Sequence, residues 1–233
     1  MHPPRRVPRV LLIDAMGTLV ALSAPAPRLR RELEDRYGIA VSETEADRAL
    51  RAEIAYYRAH LQEGHDAASV AGLRRRCAAI LAGALPPAFR ELELTEVLLA
   101  SLHFEPFPDA RPALARARAD GRHVIVVSNW DASLPDVLAG VGLAGLIDGV
   151  VSSAAAGARK PDPAIFVRGL EVAGATPEEA LHVGDSLEED IAGAAAAGLP
   201  ALWCNRGALP VPPGVQAISS LAELDPSPGP TRA

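Results

Sequence analysis

The feature that most constrains this chain is an alternation. Short apolar, β-branched runs, each leading into a polar residue, are separated by helical patterns of roughly ten residues. The runs are VLLI at 10–13 ahead of Asp14, HVIVVS at 123–128, GVVSS at 149–153, ALHVGD at 180–185 and LPALWC at 199–204. Such continuous apolar strands are buried on both faces, and strands alternating with helices require a parallel sheet covered on each side. Helices are expected at about 110–120, 133–140, 163–173 and 188–197.

A second texture interrupts the first. From about residue 25 to 104 the patterns are helical and none reads as strand. In SETEADRALRAEIAYYRAHLQEG the apolar positions Ala46, Leu50, Ile54, Tyr57 and Leu61 recur at three- and four-residue steps. Ser42 with Glu45 three residues on forms a capping box, and Gly64 is a stop. Further helices are expected at about 66–83 and 95–103. The fold class is therefore α/β: a doubly wound, parallel-sheet Rossmann-like core made of residues 1–20 and 106–223, with an all-helical domain inserted at 21–105. The Pro-rich end, 224–233, is expected to be a disordered tail. There is no internal repeat.

Composition narrows the function classes. The apolar fraction of 49% is ample for a core, and with only 4% aromatic residues that core must be Ala, Val and Leu. The net charge of −6 carries no basic block, which argues against nucleic acid as a partner. No run approaches the roughly 18 apolar residues that span a bilayer, so no membrane partner is expected. The N-terminus has charge but no apolar signal core, and Cys77 and Cys204 match no metal spacing, so free thiols in a reducing cytoplasm are expected. Of 23 basic residues only one is lysine, Lys160, in ARKPDP.

In a parallel α/β sheet, ligands bind beyond the carboxyl ends of the strands. Asp14, Ser128–Asn129, Lys160 and Gly184–Asp185 all fall at such ends. A carboxylate on a rigid strand end can attack an electrophile and form a covalent intermediate. A second carboxylate, Asp185, would repel it unless a cation sat between them, and paired acidic oxygens with open positions suit Mg²⁺. Ser128 can donate its hydroxyl to a phosphate oxygen, and Lys160 supplies a compact positive charge for the same anion. Together these groups describe phosphoryl transfer to an aspartate.

The motifs resemble a known family, the haloacid dehalogenase superfamily. DAMGTLV resembles its first motif, of Asp-x-Asp-Gly-Thr-Leu type; VIVVSN resembles the second, KPDP the third, and VGDSLEED, with a further acid at Asp190, the fourth. Their order is right, the resemblance covers roughly 9–210, and the helical block sits where one subgroup inserts its cap. The resemblance implies that Asp14 is the catalytic nucleophile, assisted by Lys160. It further implies that Ser128 and Asn129, with Lys160, bind a small phosphate-bearing substrate. Mg²⁺ would be held by Asp14, Asp185 and the backbone carbonyl of Met16, with Asp190 supporting.

Met16 stands where the phosphatases of this family carry an acid that protonates the leaving alkoxide and later activates water. Its side chain can do neither, while a backbone metal contact is spared. General acid–base groups contribute roughly a hundred- to ten-thousand-fold, so slow turnover on alkyl phosphate esters is expected. Three readings follow: a Mg²⁺-dependent phosphatase, weakened or restricted in substrate; a 2-haloacid dehalogenase, whose halide leaves without a proton but whose fourth motif is not expected to be as acidic as GDSLEED; and a binding or regulatory protein that catalyses little. The phosphonatase branch uses a cap lysine, and residues 21–105 contain none.

Other polar groups have plainer explanations. His103 and His182 read as packing or surface groups rather than ligands, and Tyr56–Tyr57 as core of the helical block. Trp130 fills space or stacks on substrate. Asp131 is a candidate substitute acid. Arg74–Arg75–Arg76 reads as a solvated helix face, with an anion contact as the alternative. Oligomeric state is not legible in the sequence.

Overall fold

The computed structural model describes residues 8–224. The expected tail therefore lies, apart from Leu224, outside the described residues. Two compact units emerge. Among the described residues, 8–21, 106–129 and 134–224 form the sheet unit, and 22–105 with 130–133 form the helical unit.

The chain begins with β1 (Val10–Ile13), buried at every position, and then β2 (Val20–Leu22). Four helices follow: α1 (Pro25–Tyr37), α2 (Glu43–His60), α3 (Ala67–Ala84) and α4 (Thr95–Ser101). Proline at the first turn and a left-handed Gly38 bound α1. The capping box of Ser42 and Glu45 opens α2 as the sequence indicated, and Asp66 with Ser69 opens α3 the same way. Leu29, Leu33, Ala46, Leu50, Leu73 and Leu81 are among the residues that bury the core of this unit. Strand β3 (Phe104–Pro106) pairs with β2. Three-residue strands carry too little alternation to be read from sequence.

The sheet unit resumes with α5 (Ala110–Ala119), β4 (His123–Ser128), α6 (Leu134–Gly140), β5 (Gly149–Ser152), α7 (Ser153–Ala156) and α8 (Pro163–Ala173). It ends with β6 (Ala180–Gly184), a π-helical turn at Leu187–Ala192 running into α9 (Gly193–Ala196), then β7 (Ala201–Cys204) and β8 (Ala217–Ile218). The sheet has six strands in the order β5-β4-β1-β6-β7-β8, all parallel. This is a Rossmann-like doubly wound sheet whose strand order reverses between β1 and β6. Helix α8 lays Ile165, Phe166 and Leu170 onto the sheet; burying each side chain contributes roughly 1.5–3 kcal/mol. Gly169 permits that approach, since a Cβ there would lie 2.9 Å from Val127.

The helix expected at 188–197 departs from regular α geometry. The Ile191 N–H reaches back five residues to the Ser186 carbonyl, while the Asp190 carboxylate accepts from the Ser186 N–H. The wider turn accompanies the burial of an acid inside the sheet unit, and such turns are frequent at functional sites. Among the described residues, no helix is long and apolar enough to cross a membrane.

Candidate active site

Asp14 follows the last residue of β1, Ser128 ends β4, and Asp185 follows the last residue of β6, so three strand ends at the reversal point meet. The Asp14 N–H donates to the Val183 carbonyl at 2.9 Å, which extends the β1–β6 ladder by one residue and fixes the nucleophile candidate. Its Oδ1 accepts from Ser128 Oγ at 2.8 Å and from Lys160 Nζ at 2.6 Å. The same ammonium donates to Asp190 Oδ1 at 2.5 Å. Asp14, Lys160 and Asp190 are all nearly inaccessible to solvent.

Asn129 holds the lysine from its other end. Its Nδ2 donates to the Lys160 carbonyl at 3.0 Å, and its Oδ1 accepts from the Lys160 N–H at 2.8 Å. The side chain read from sequence as a substrate contact thus brackets the backbone that delivers the ammonium. Sequence gave no signal for this, because an amide after a strand is compatible with either task.

Glycine makes the carboxylates' approach possible. Gly17 has φ +80°, and a Cβ there would lie 2.1 Å from Asp185 Oδ2. A Cβ at Gly184 would lie 2.1 Å from the Asp190 carboxyl carbon. The Gly-Thr turn after Asp14 therefore has two requirements for glycine, backbone conformation and space. Met16, half-buried, leads into that turn.

Electrostatics divides the acids. Burial raises the Asp14 pKa, and the Asp190 charge adds to this, against the stabilising pull of Lys160. Burial would lower the Lys160 pKa, but the charges of Asp14 and Asp190 outweigh it and hold the ammonium protonated. Burial likewise opposes ionisation of Asp190, yet Lys160 and a bond to His182 hold its carboxyl well below the usual range. Asp185 reaches solvent in part; its burial and the charges of Asp14 and Asp190 push it up to about 7.

Carboxylate oxygens of Asp14, Asp185 and Asp190 lie within 4.8 Å of one another. These are hard oxygen donors carrying more negative charge than the one ammonium offsets, the chemistry that suits Mg²⁺.

The remaining candidates disperse. His182 is buried with Nε2 2.8 Å from Asp190 Oδ1, a bond that the sequence did not signal beyond a polar residue on an interior strand. His103 is on the surface beside Glu105. In the helical unit, Trp130 is buried and packs on Phe104 with ring centroids 5.2 Å apart. Asp131 Oδ1 accepts from the Ser133 N–H and hydroxyl, and its Oδ2 accepts from the Tyr57 hydroxyl at 3.3 Å. Arg76 is tied to Tyr56 and Glu63, and Arg75 is exposed.

A family model for haloacid dehalogenase-like hydrolases matches residues 8–198. The chain belongs to that family. Haloacid dehalogenase-like hydrolase domain-containing protein 3 of Bos taurus is 41% identical over 107 residues, 46% of this chain and 42% of that protein. The phosphoserine phosphatase of Thermus thermophilus is 37% identical over 129 residues, 53% of this chain and 51% of that protein. The chain thus spans about half the length of these curated relatives. Among solved structures, a HAD phosphatase from Thermococcus onnurineus superposes with a TM-score of 0.66 at 27% identity, covering 93% of this chain and 95% of that one.

Proposed function

We propose that this protein is a Mg²⁺-dependent phosphatase of small phosphorylated metabolites, working through an aspartyl-phosphate on Asp14 and slowed by Met16. The observation that carries the reading is the convergence of Ser128 Oγ and Lys160 Nζ on one oxygen of Asp14, with Asp185 beside it. The phosphatases among its relatives support the substrate class.

The steps follow from the chain's own groups. Ser128 and Lys160 hold Oδ1 of Asp14, so Oδ2 is the oxygen assigned to attack phosphorus. That oxygen gains a bond to phosphorus as the bond to the leaving oxygen breaks. The Lys160 ammonium and the Ser128 hydroxyl then lie where they neutralise the phosphoryl oxygens. Asp14, Asp185 and the Met16 carbonyl would hold Mg²⁺, with Asp190 supporting through Lys160. When bound, Mg²⁺ supplies positive charge against the phosphoryl oxygens. Water then attacks phosphorus, releasing inorganic phosphate and restoring the Asp14 carboxylate. The helical unit serves as a cap that sets specificity and excludes water. Two buried free thiols suit a reducing cytoplasm.

Met16 itself favours a second reading, a dehalogenase, because halide departs without a proton. Asp185 opposes it, since an acid at about pKa 7 facing two further acids has a role where a cation is bound.

The deciding experiment compares wild type with Met16→Asp in Mg²⁺ on alkyl and aryl phosphates. The variant is expected to gain roughly a hundredfold on alkyl esters. The wild type should release a burst of aryl alcohol as phosphoenzyme accumulates. Chloride release from a 2-chloro acid without metal would install the dehalogenase instead, and inactivity of both proteins on every phosphate would end the phosphatase reading.

A further inference from the structure

One buried titratable group has no part in the chemistry above. His182 stands in the middle of β6 with no accessible surface. Its ring meets Phe166 edge-on, with centroids 4.9 Å apart and planes at 87°. Nε2 lies 2.8 Å from Asp190 Oδ1, while Nδ1 is buried without a partner among the described residues. A residue that only filled space here would be better apolar, because a buried polar nitrogen left unpaired forfeits its hydrogen bond to water. The single bond that the ring makes therefore identifies its task.

That bond falls on the oxygen that also accepts from Lys160. Lys160 donates, so Oδ1 of Asp190 accepts, and the nitrogen facing it from His182 must carry hydrogen. Asp190 is consequently held from three directions: His182 Nε2 and Lys160 Nζ on Oδ1, and the Ser186 N–H on Oδ2. The absence of a side chain at Gly184 lets the carboxylate rest against the β6 backbone. With one approach to Oδ1 taken by the imidazole, Lys160 bonds from another and divides its donors between Asp190 and Asp14. Without the imidazole, only the Ser186 N–H on Oδ2 opposes a turn of the carboxylate that would offer both oxygens to the ammonium and draw it from Asp14.

We propose that His182 is a positioning residue: by occupying one approach to Asp190, it keeps Lys160 aimed at Asp14. Its effect on turnover rests on the reading of Asp14 as the reacting group; its effect on Lys160 does not. A relay of this kind acts through the order His182, Asp190, Lys160, Asp14, and neither His182 nor Asp190 touches substrate.

The chain offers an unusually direct test, because Lys160 is its only lysine. Labelling with [¹⁵N]lysine places a single Nζ signal in the spectrum. The variants are His182→Leu, which deletes the donor; His182→Gln, whose amide N–H₂ reaches the Nε2 position; and His182→Asn, whose amide reaches only the Nδ1 position. Leu and Asn are expected to move the Lys160 Nζ signal and to lower kcat on an aryl phosphate about tenfold or more, with KM changed by less than about threefold. Gln is expected to restore the signal and most of the rate. Equal losses in Leu, Asn and Gln, or an Nζ signal that stays in place in folded Leu and Asn variants, would reduce His182 to packing. Should Leu not fold, the Gln–Asn difference decides. Should the wild type show no phosphatase activity, the Nζ signal still decides, and the phosphatase reading fails separately.

Discussion

In the sheet unit, Lys160 lies buried between Asp14 and Asp190; in the helical unit, Glu53 and Cys77 lie buried on α2 and α3, with Tyr57 half-buried on α2. Both clusters remove polar groups from water, but with opposite results. Around Lys160, opposite charges within hydrogen-bond distance keep the ammonium and Asp190 ionised despite burial. In the helical unit, burial dominates: it raises the pKa of Glu53, pushes Cys77 up to about 12 and, helped by Asp131, raises Tyr57. A cation decides whether a buried acid is kept charged and oriented or is left favouring its neutral form. The sheet unit therefore holds ready charge for an anion, while the helical unit's polar groups serve its packing.

The comparison breaks most visibly if the cation is removed. Lys160→Met leaves two buried carboxylates facing each other, and losing one partner of such a pair destabilises by roughly 3–5 kcal/mol. For a chain of this size that lowers the Tm by roughly 10 °C, readable by calorimetry. An unchanged Tm would mean that Lys160 and Asp190 are not the ionised pair inferred from their contacts.

Asp185 gives a smaller effect of opposite origin. Its carboxyl titrates at about 7 in the fold against 3.8 ordinarily, so the folded state holds a proton that the unfolded chain loses. The stability that this provides is full below about pH 4 and is lost as pH rises through about 7. Metal-free protein should accordingly lose Tm over that window, and Mg²⁺, favouring the ionised form, should return it. Asp185→Asn should abolish both the slope and the Mg²⁺ response. A Tm that ignores Mg²⁺ at pH 8 would remove the metal from the proposal.

Much of this was legible because parallel sheets concentrate information at strand ends. Asp14, Ser128 and Asp185 each follow an uninterrupted apolar run, so their convergence follows from topology once the alternation is recognised. Lys160 was visible as the only lysine in the chain. What escaped notice depends on which atom faces which. Asn129 on the Lys160 backbone and His182 on Asp190 are contacts across 31 and 8 residues, with no spacing rule to reveal them. The π-helical turn was hidden for the same reason: LEEDIA has ordinary helical composition, and only the inward turn of Asp190 distinguishes it. Strands β2 and β3 were too short to show a period.

The smallest expected effect sharpens the helical side of the comparison. Glu53 is buried beside Cys77, with its pKa raised by burial and only partly offset by their side-chain bond. A raised carboxyl contributes stability that is complete below its ordinary value of 4.5 and lost as pH rises through the folded value. Glu53→Gln keeps shape and hydrogen-bonding capacity but cannot ionise. It should match the wild type near pH 4 and exceed it at pH 8, measured by urea unfolding at the two pH values. If the variant is instead weaker at pH 8, Glu53 is held charged by a favourable partner, and the helical cluster would resemble the sheet cluster rather than oppose it.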